Sequence, residues 1–175
     1  MIAVLGMGNV LMGDDGFGPT VVRTLEAAYD VPPEVQLLDV GTPGLDLVPY
    51  IAGTRALVVV DTVRSEGPPG ALRLYRKDEI LRHAGKRLRL GPHDPGLEAC
   101  LQGLDLAGLA PADVLLVGAI PCSSRHAEGL SEPLRAAVPG AIVQVLAELA
   151  SLGAPAVPRR EPATPDLWWE RPVPA

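Results

Sequence analysis

Cysteine is nearly absent from this chain: Cys100 and Cys122 are the only two, and no C-x-x-C occurs. That excludes a disulfide framework and a four-cysteine zinc site, and it points to a cytoplasmic setting. Aromatic residues are scarce too, with one Phe, three Tyr and two Trp. The core must then be built from Val, Leu, Ile and Ala, which suits buried parallel strands. A surplus of positive charge is also missing. A net charge of −6 and a pI near 5.0 exclude a general nucleic-acid binder, which needs a basic face to neutralise phosphates. No apolar run approaches the roughly 18 residues of a membrane span. Met1 leads into Ile2-Ala3-Val4-Leu5-Gly6 without the basic leader of a signal peptide, so neither export by that route nor a membrane partner is expected.

What is present is an ordinary globular composition, 47% apolar and 21% charged over 175 residues, enough for one domain. Ile2 to Gly6 reads as a buried strand, and Gly18, Val21, Val22, Leu25 and Ala28 have the spacing of a helix covering it. Further strands are expected at 35–39, 56–61 and 114–119, with an edge strand at 71–75 after Gly67-Pro68-Pro69-Gly70. Helices are expected at 46–51, 77–83, 95–106 and 141–152. This alternation implies a three-layer α/β/α sandwich around a mainly parallel, about five-stranded twisted sheet. After Gly153 six prolines break every periodicity, so residues 1–153 read as a single α/β domain and 154–175 as a Pro-rich tail carrying Trp168-Trp169.

The loop after the first strand, Gly6-Met7-Gly8-Asn9-Val10-Leu11-Met12-Gly13-Asp14-Asp15-Gly16-Phe17-Gly18, opens like the dinucleotide fingerprint G-x-G-x-x-G. The third glycine is replaced by Leu11, and two aspartates stand where a pyrophosphate would sit. Carboxylates repel phosphate but serve a cation or acid-base work. In a parallel sheet the loops after the strands converge on one rim. Asp15, Asp39 and Asp61 belong to the ends of the first three strands, and His93 to the loop before the helix at 95, so three or four polar ligands can share that rim. Two carboxylates and an imidazole suit a divalent transition metal such as nickel, zinc or manganese, with positions left open. The same residues also have structural uses, as helix caps for the acids and as a turn residue for the histidine.

Gly8-Asn9-Val10-Leu11 followed by Asp14-Asp15-Gly16-Phe17-Gly18 resembles the signature loop of the hydrogenase maturation endopeptidases. Asp39-Val40-Gly41-Thr42-Pro43-Gly44, Val58-Val59-Val60-Asp61, Pro92-His93 with Gly96-Leu97, and Val117-Gly118-Ala119-Ile120-Pro121 resemble further family segments in the same order, through about residue 158. The resemblance implies an endopeptidase that removes a C-terminal extension from the nickel-loaded large-subunit precursor of a nickel-iron hydrogenase. It implies Asp15, Asp61 and His93 as the catalytic, metal-facing trio, with nickel supplied by the precursor. It further implies Asp39, Gly41 and Thr42 as substrate-recognition residues, and a monomer that binds its substrate transiently. The rival readings are a nickel carrier or chaperone without protease activity, and a nucleotide-binding Rossmann-like module. Cys122 and His126 have the spacing of a nucleophile and base on one helical turn, but no G-x-S-x-G elbow surrounds Ser123 or Ser124, and H-E-x-x-H is absent. Six basic residues between Arg76 and Arg89 face only Asp78 and Glu79, a stretch able to steer an acidic partner or simply form a solvated face.

Overall fold

Strands with uninterrupted aliphatic runs bury both faces, and they form the centre of this molecule. The computed structural model describes residues 1–82, 89–90, 95–122 and 129–171. The chain runs through β1 (Ile2–Met7), a 3-10 turn (Gly13–Gly16), α1 (Phe17–Ala28), β2 (Tyr29–Asp30) and β3 (Val35–Gly41). A second 3-10 turn (Gly44–Leu47) enters α2 (Val48–Ile51), followed by β4 (Ala56–Arg64), β5 (Leu72–Arg76), α3 (Lys77–Arg82) and β6 (Arg89–Leu90). Then come α4 (Pro95–Ala107), β7 (Asp113–Ala119), α5 (Glu132–Ser151), β8 (Val157–Pro158) and a last 3-10 turn (Trp168–Glu170).

The main sheet has the order β3-β1-β4-β7-β5, with the short β6 attached to β4. The first four strands are parallel, and β5 lies antiparallel on the edge beside β7. Alternation along the strands divides the core in two. Ile2, Val4, Val58, Val60, Leu115 and Val117 join α1 and α5 on one face. Ala3, Leu5, Leu57, Val59 and Leu116 join residues of α2, α3 and α4 on the other. The result is the expected three-layer α/β/α arrangement. The chain leaves β1 through α1 on one face and leaves β3 through α2 on the other, so strand order reverses between the adjacent β1 and β4. In sheets of this kind the ligand crevice lies at the carboxyl ends of the strands flanking the switch point.

Gly18 lets α1 sit directly over this crevice. A Cβ built there would lie 2.3 Å from the carbonyl oxygens of both Met7 and Val60, so any side chain forces helix and strands apart. The third glycine missing at Leu11 has its counterpart here, at the helix rather than in the loop. Gly8 solves a second crowding: with φ of +135°, it lies where a Cβ would fall 1.8 Å from the carbonyl oxygen of Asp15.

Two expectations need correction. The last helix starts at Glu132 rather than near Ala141. Pro139 sits inside it on the exposed side, while Leu134, Ala137, Val138, Ala141, Ile142, Val145 and Leu149 carry a buried stripe past the proline. Packing of that stripe outweighs the missing hydrogen bond. By length and composition α5 is also apolar enough to cross a membrane, but its stripe is part of the core. Asp61 does not end its strand, because β4 continues to Arg64 to pair with β6. The Pro-rich tail packs back on the body. β8 pairs with β2, the Ala163 N–H donates to Ala27 O, Trp169 is buried, and Glu170 forms a two-pronged pair with Arg135.

Replacing Gly18 by Ala is expected to cost more than about 3 kcal/mol, since the clash is with backbone on both sides. Urea denaturation measures it, and a midpoint unchanged from the parent would show that helix and sheet can separate freely.

Candidate active site

Two buried acids share one neighbour, Thr62, at the switch point. Asp15 lies in the 3-10 turn after β1 and Asp61 near the end of β4, and they are 2% and 5% exposed. Burying a carboxylate is costly unless it is bonded, so their partners define what the site is. The Asn9 N–H donates to Asp15 Oδ2 at 2.8 Å, and the Thr62 hydroxyl reaches Asp15 Oδ1 at 3.5 Å. The Thr62 N–H donates to Asp61 Oδ1 at 2.6 Å. Thr62 thus touches both acids, one through its side chain and one through its backbone. Strand alternation explains how: Thr62 shares the face covered by α1, whereas Asp61 shares the face of Leu57, Val59 and Val63.

Neither aspartate of the Asp14-Asp15 pair caps α1, whose N-cap is Gly16 without a side-chain bond. Asp14 turns away to accept the N–H groups of Cys122 and Ser131 at 2.8 and 2.7 Å. Asp39 belongs to a neighbouring arrangement. Its Oδ1 accepts the Gly41 N–H at 3.2 Å and its Oδ2 pairs with Arg23 at 3.6 Å. Gly41 takes a φ of +58° and its carbonyl receives the Gly8 N–H, which ties this segment to the Asp15 loop, while Thr42 is exposed.

His93 lies outside the described residues. Its described flanks are placed: Leu90 pairs with Val63, two residues beyond Asp61, and α4 begins at Pro95. One residue later, Gly96 lies so close to Gly44 that a Cβ would fall 2.4 Å from the Gly44 carbonyl oxygen. Among the described residues no group of three His, Cys, Asp or Glu forms a metal site. Sequence reasoning passed over Thr62 and Asn9 as contributors; a hydroxyl next to a strand acid is the one signal that marked Thr62.

The other candidates are accounted for differently. Ser123, Ser124 and His126 lie outside the described residues, and Cys122 is exposed beside them. Burial pushes the Cys100 thiol up from its usual range, although the Val48 and Leu47 backbone opposes this. Among the described residues of the basic stretch, Arg76, Lys77 and Arg82 are committed to partners within the fold. Arg76 makes a two-pronged bond to the buried Glu148, at 2.5 and 2.9 Å, which holds its guanidinium above the usual range. Lys77 bonds Asp105 and the Pro111 carbonyl, and Arg82 pairs with Asp78.

An α/β fold with two buried acids at its switch point defines a candidate hydrolytic centre, and comparison with known proteins specifies which. The hydrogenase maturation protease family model, HycI, matches residues 19–148. The hydrogenase 2 maturation protease of Escherichia coli K12 is 36% identical over 159 residues, spanning 90% of this chain and 96% of that protein. The hydrogenase expression/formation protein HupM of Azotobacter chroococcum is 38% identical, over 90% of this chain and 76% of its own. Among solved structures, the hydrogenase maturating endopeptidase HybD from E. coli superposes with a TM-score of 0.84 at 35% identity, covering 90% of this chain and 97% of that one. The NiFe hydrogenase maturation protease HybD from Thermococcus kodakarensis gives 0.69 at 25% identity, covering 85% and 98%. The chain belongs to the hydrogenase maturation protease family.

A cysteine nucleophile is separable from an acid-based site. Cys122→Ala is expected to keep cleavage within about threefold of the parent, against a loss of several orders of magnitude for a true nucleophile. Iodoacetamide at neutral pH, read by mass, should label Cys122 and leave Cys100 unmodified until the chain is unfolded.

Proposed function

We propose that this protein removes the C-terminal extension of a nickel-loaded NiFe hydrogenase large-subunit precursor, with Asp15, Asp61 and His93 meeting the precursor's nickel. The observation that carries the reading is the pair of buried acids joined through Thr62. A buried acid pair at the strand ends of a switch point is a poor design for holding phosphate and a good one for a cation. That favours the peptidase over the nucleotide-binding module. Membership of a protease family favours it over a carrier that cuts nothing.

The donor set fits the metal: two carboxylates and one imidazole leave coordination positions for ligands that the precursor already provides. The nickel is part of the substrate, and it would supply Lewis-acid polarisation beside the scissile peptide. The chain's own residues do the rest. The Asn9 N–H and Thr62 hydroxyl hold the Asp15 carboxylate, and the Thr62 N–H holds that of Asp61, so both acids are oriented before substrate arrives. A carboxylate that is not engaged by the cation can take a proton from the attacking water. Asp39, Gly41 and Thr42, tied to the Asp15 loop through Gly8, form the adjoining surface for the precursor chain. The reaction takes place in the cytoplasm, between a monomer and a transiently bound precursor.

Incubation with nickel-loaded and nickel-free precursor, followed by mass measurement of the precursor's C-terminus, tests the reading. Peptide loss is expected from the loaded form alone, and equal cleavage of both forms would remove nickel from the account. Asp15→Ala, Asp61→Ala and His93→Ala should each lower the rate by at least about 10²-fold while retaining the fold. Any of the three that cleaves at the parental rate does not belong to the site.

A further inference from the structure

We propose that Asp14 is a positioning residue: it holds the turn that carries Asp15 by bonding two distant backbone segments, and it does not itself meet the substrate. This rests on the reading of Asp15 as a site acid. Asp14 is only 2% exposed. Its two oxygens accept the N–H of Cys122 at 2.8 Å and of Ser131 at 2.7 Å, partners 108 and 117 residues away in the chain. A carboxylate bonded in this way is a cross-link between the first loop and the segment that follows β7. Ser131 is also the N-cap of the 20-residue α5, so the positive end of that helix reinforces the bond.

The turn needs such an anchor. Its own backbone bonds are local, from Met12 N–H to Asn9 O and from Asp15 N–H to Met12 O. They shape the turn, while its attitude to the sheet is set at its two ends, by the Gly8 N–H to the Gly41 carbonyl and by Gly18 against Met7 and Val60, and by side chains within it. Asp14 supplies that constraint from one side while Thr62 meets Asp15 from the other. Two adjacent acids in one turn therefore divide the work. Since a displacement of about 1 Å in a reacting group costs roughly 10²-fold in rate, loosening Asp14 should act on turnover more than on binding.

The Asn9 N–H, bonded to Asp15 Oδ2, reports the place of the Asp15 carboxylate without any substrate. The test compares Asp14→Asn, which keeps one acceptor oxygen, with Ser131→Pro, which deletes one donor while leaving Asp14 intact. Ser131 has φ of −60°, a value proline adopts. Both are measured as folded protein well below their melting temperatures, by amide NMR and by kinetics on the nickel-loaded precursor, with Asp15→Asn in parallel. The expected result is a shifted, faster-exchanging Asn9 amide in both. For Asp14→Asn, kcat should fall about 10²-fold with KM within about threefold, and Ser131→Pro should show a smaller loss in the same direction. An unmoved Asn9 amide with parental kcat in both variants, and only a lower Tm, would overturn the proposal. If Asp15→Asn cleaves at the parental rate, the site reading fails separately, and the Asn9 amide alone decides whether Asp14 positions the turn.

Discussion

The arrangement depends on the close approach of α1 to the ends of β1 and β4. Backbone meets backbone there, because Gly18 has no Cβ to hold the Met7 and Val60 carbonyls away. That contact brings the turn before the helix down to the sheet edge, where Thr62 of β4 touches the acid of the turn. A helix lifted by one methyl group would leave Asp15 and Asp61 on separate elements with no common neighbour. The site is therefore a consequence of packing at the switch point, and the packing follows from a glycine placed one residue into the helix.

Burial then decides how each acid behaves. Asp14, Asp15, Asp61 and Glu148 are all buried, yet their partners differ in kind. Glu148 is met by the guanidinium of Arg76, a pairing that ties α5 to the edge strand far from the crevice. Asp14 is met by two backbone donors and by a helix N-terminus, so its charge is used within the fold. Asp15 and Asp61 share a threonine at the strand ends, where a parallel sheet receives its ligands. On the proposed reading, chemistry belongs to the last pair and architecture to the others.

Much of this was legible in the sequence, for identifiable reasons. Aliphatic runs such as Val58-Val59-Val60 announce buried parallel strands, and Gly67-Pro68-Pro69-Gly70 marks the strand after it as an edge, which the structure shows to be antiparallel. The ordered motifs announced the family. Less legible was whatever depends on contacts between distant residues. The last helix was expected only from about Ala141, because the buried stripe that carries it back past Pro139 to Glu132 becomes visible only against the sheet. How the tail packs was not legible, because β2 and β8 are two residues long and Trp169 finds its burial in tertiary packing. At the site, periodicity placed Asp15 and Asp61 on one rim but gave no sign of the threonine between them. The bonds of Asp14 were equally hidden, since its partners lie more than a hundred residues away.

The central claim is that Asp15 and Asp61 act as one unit. A double-mutant cycle of Asp15→Asn and Asp61→Asn, read as single-turnover cleavage of nickel-loaded precursor, tests it most directly. Residues acting as a unit are not additive, so the double variant should be no slower than the worse single variant by more than about threefold. Losses that multiply in full would mean that the two acids work independently, and would contradict the account.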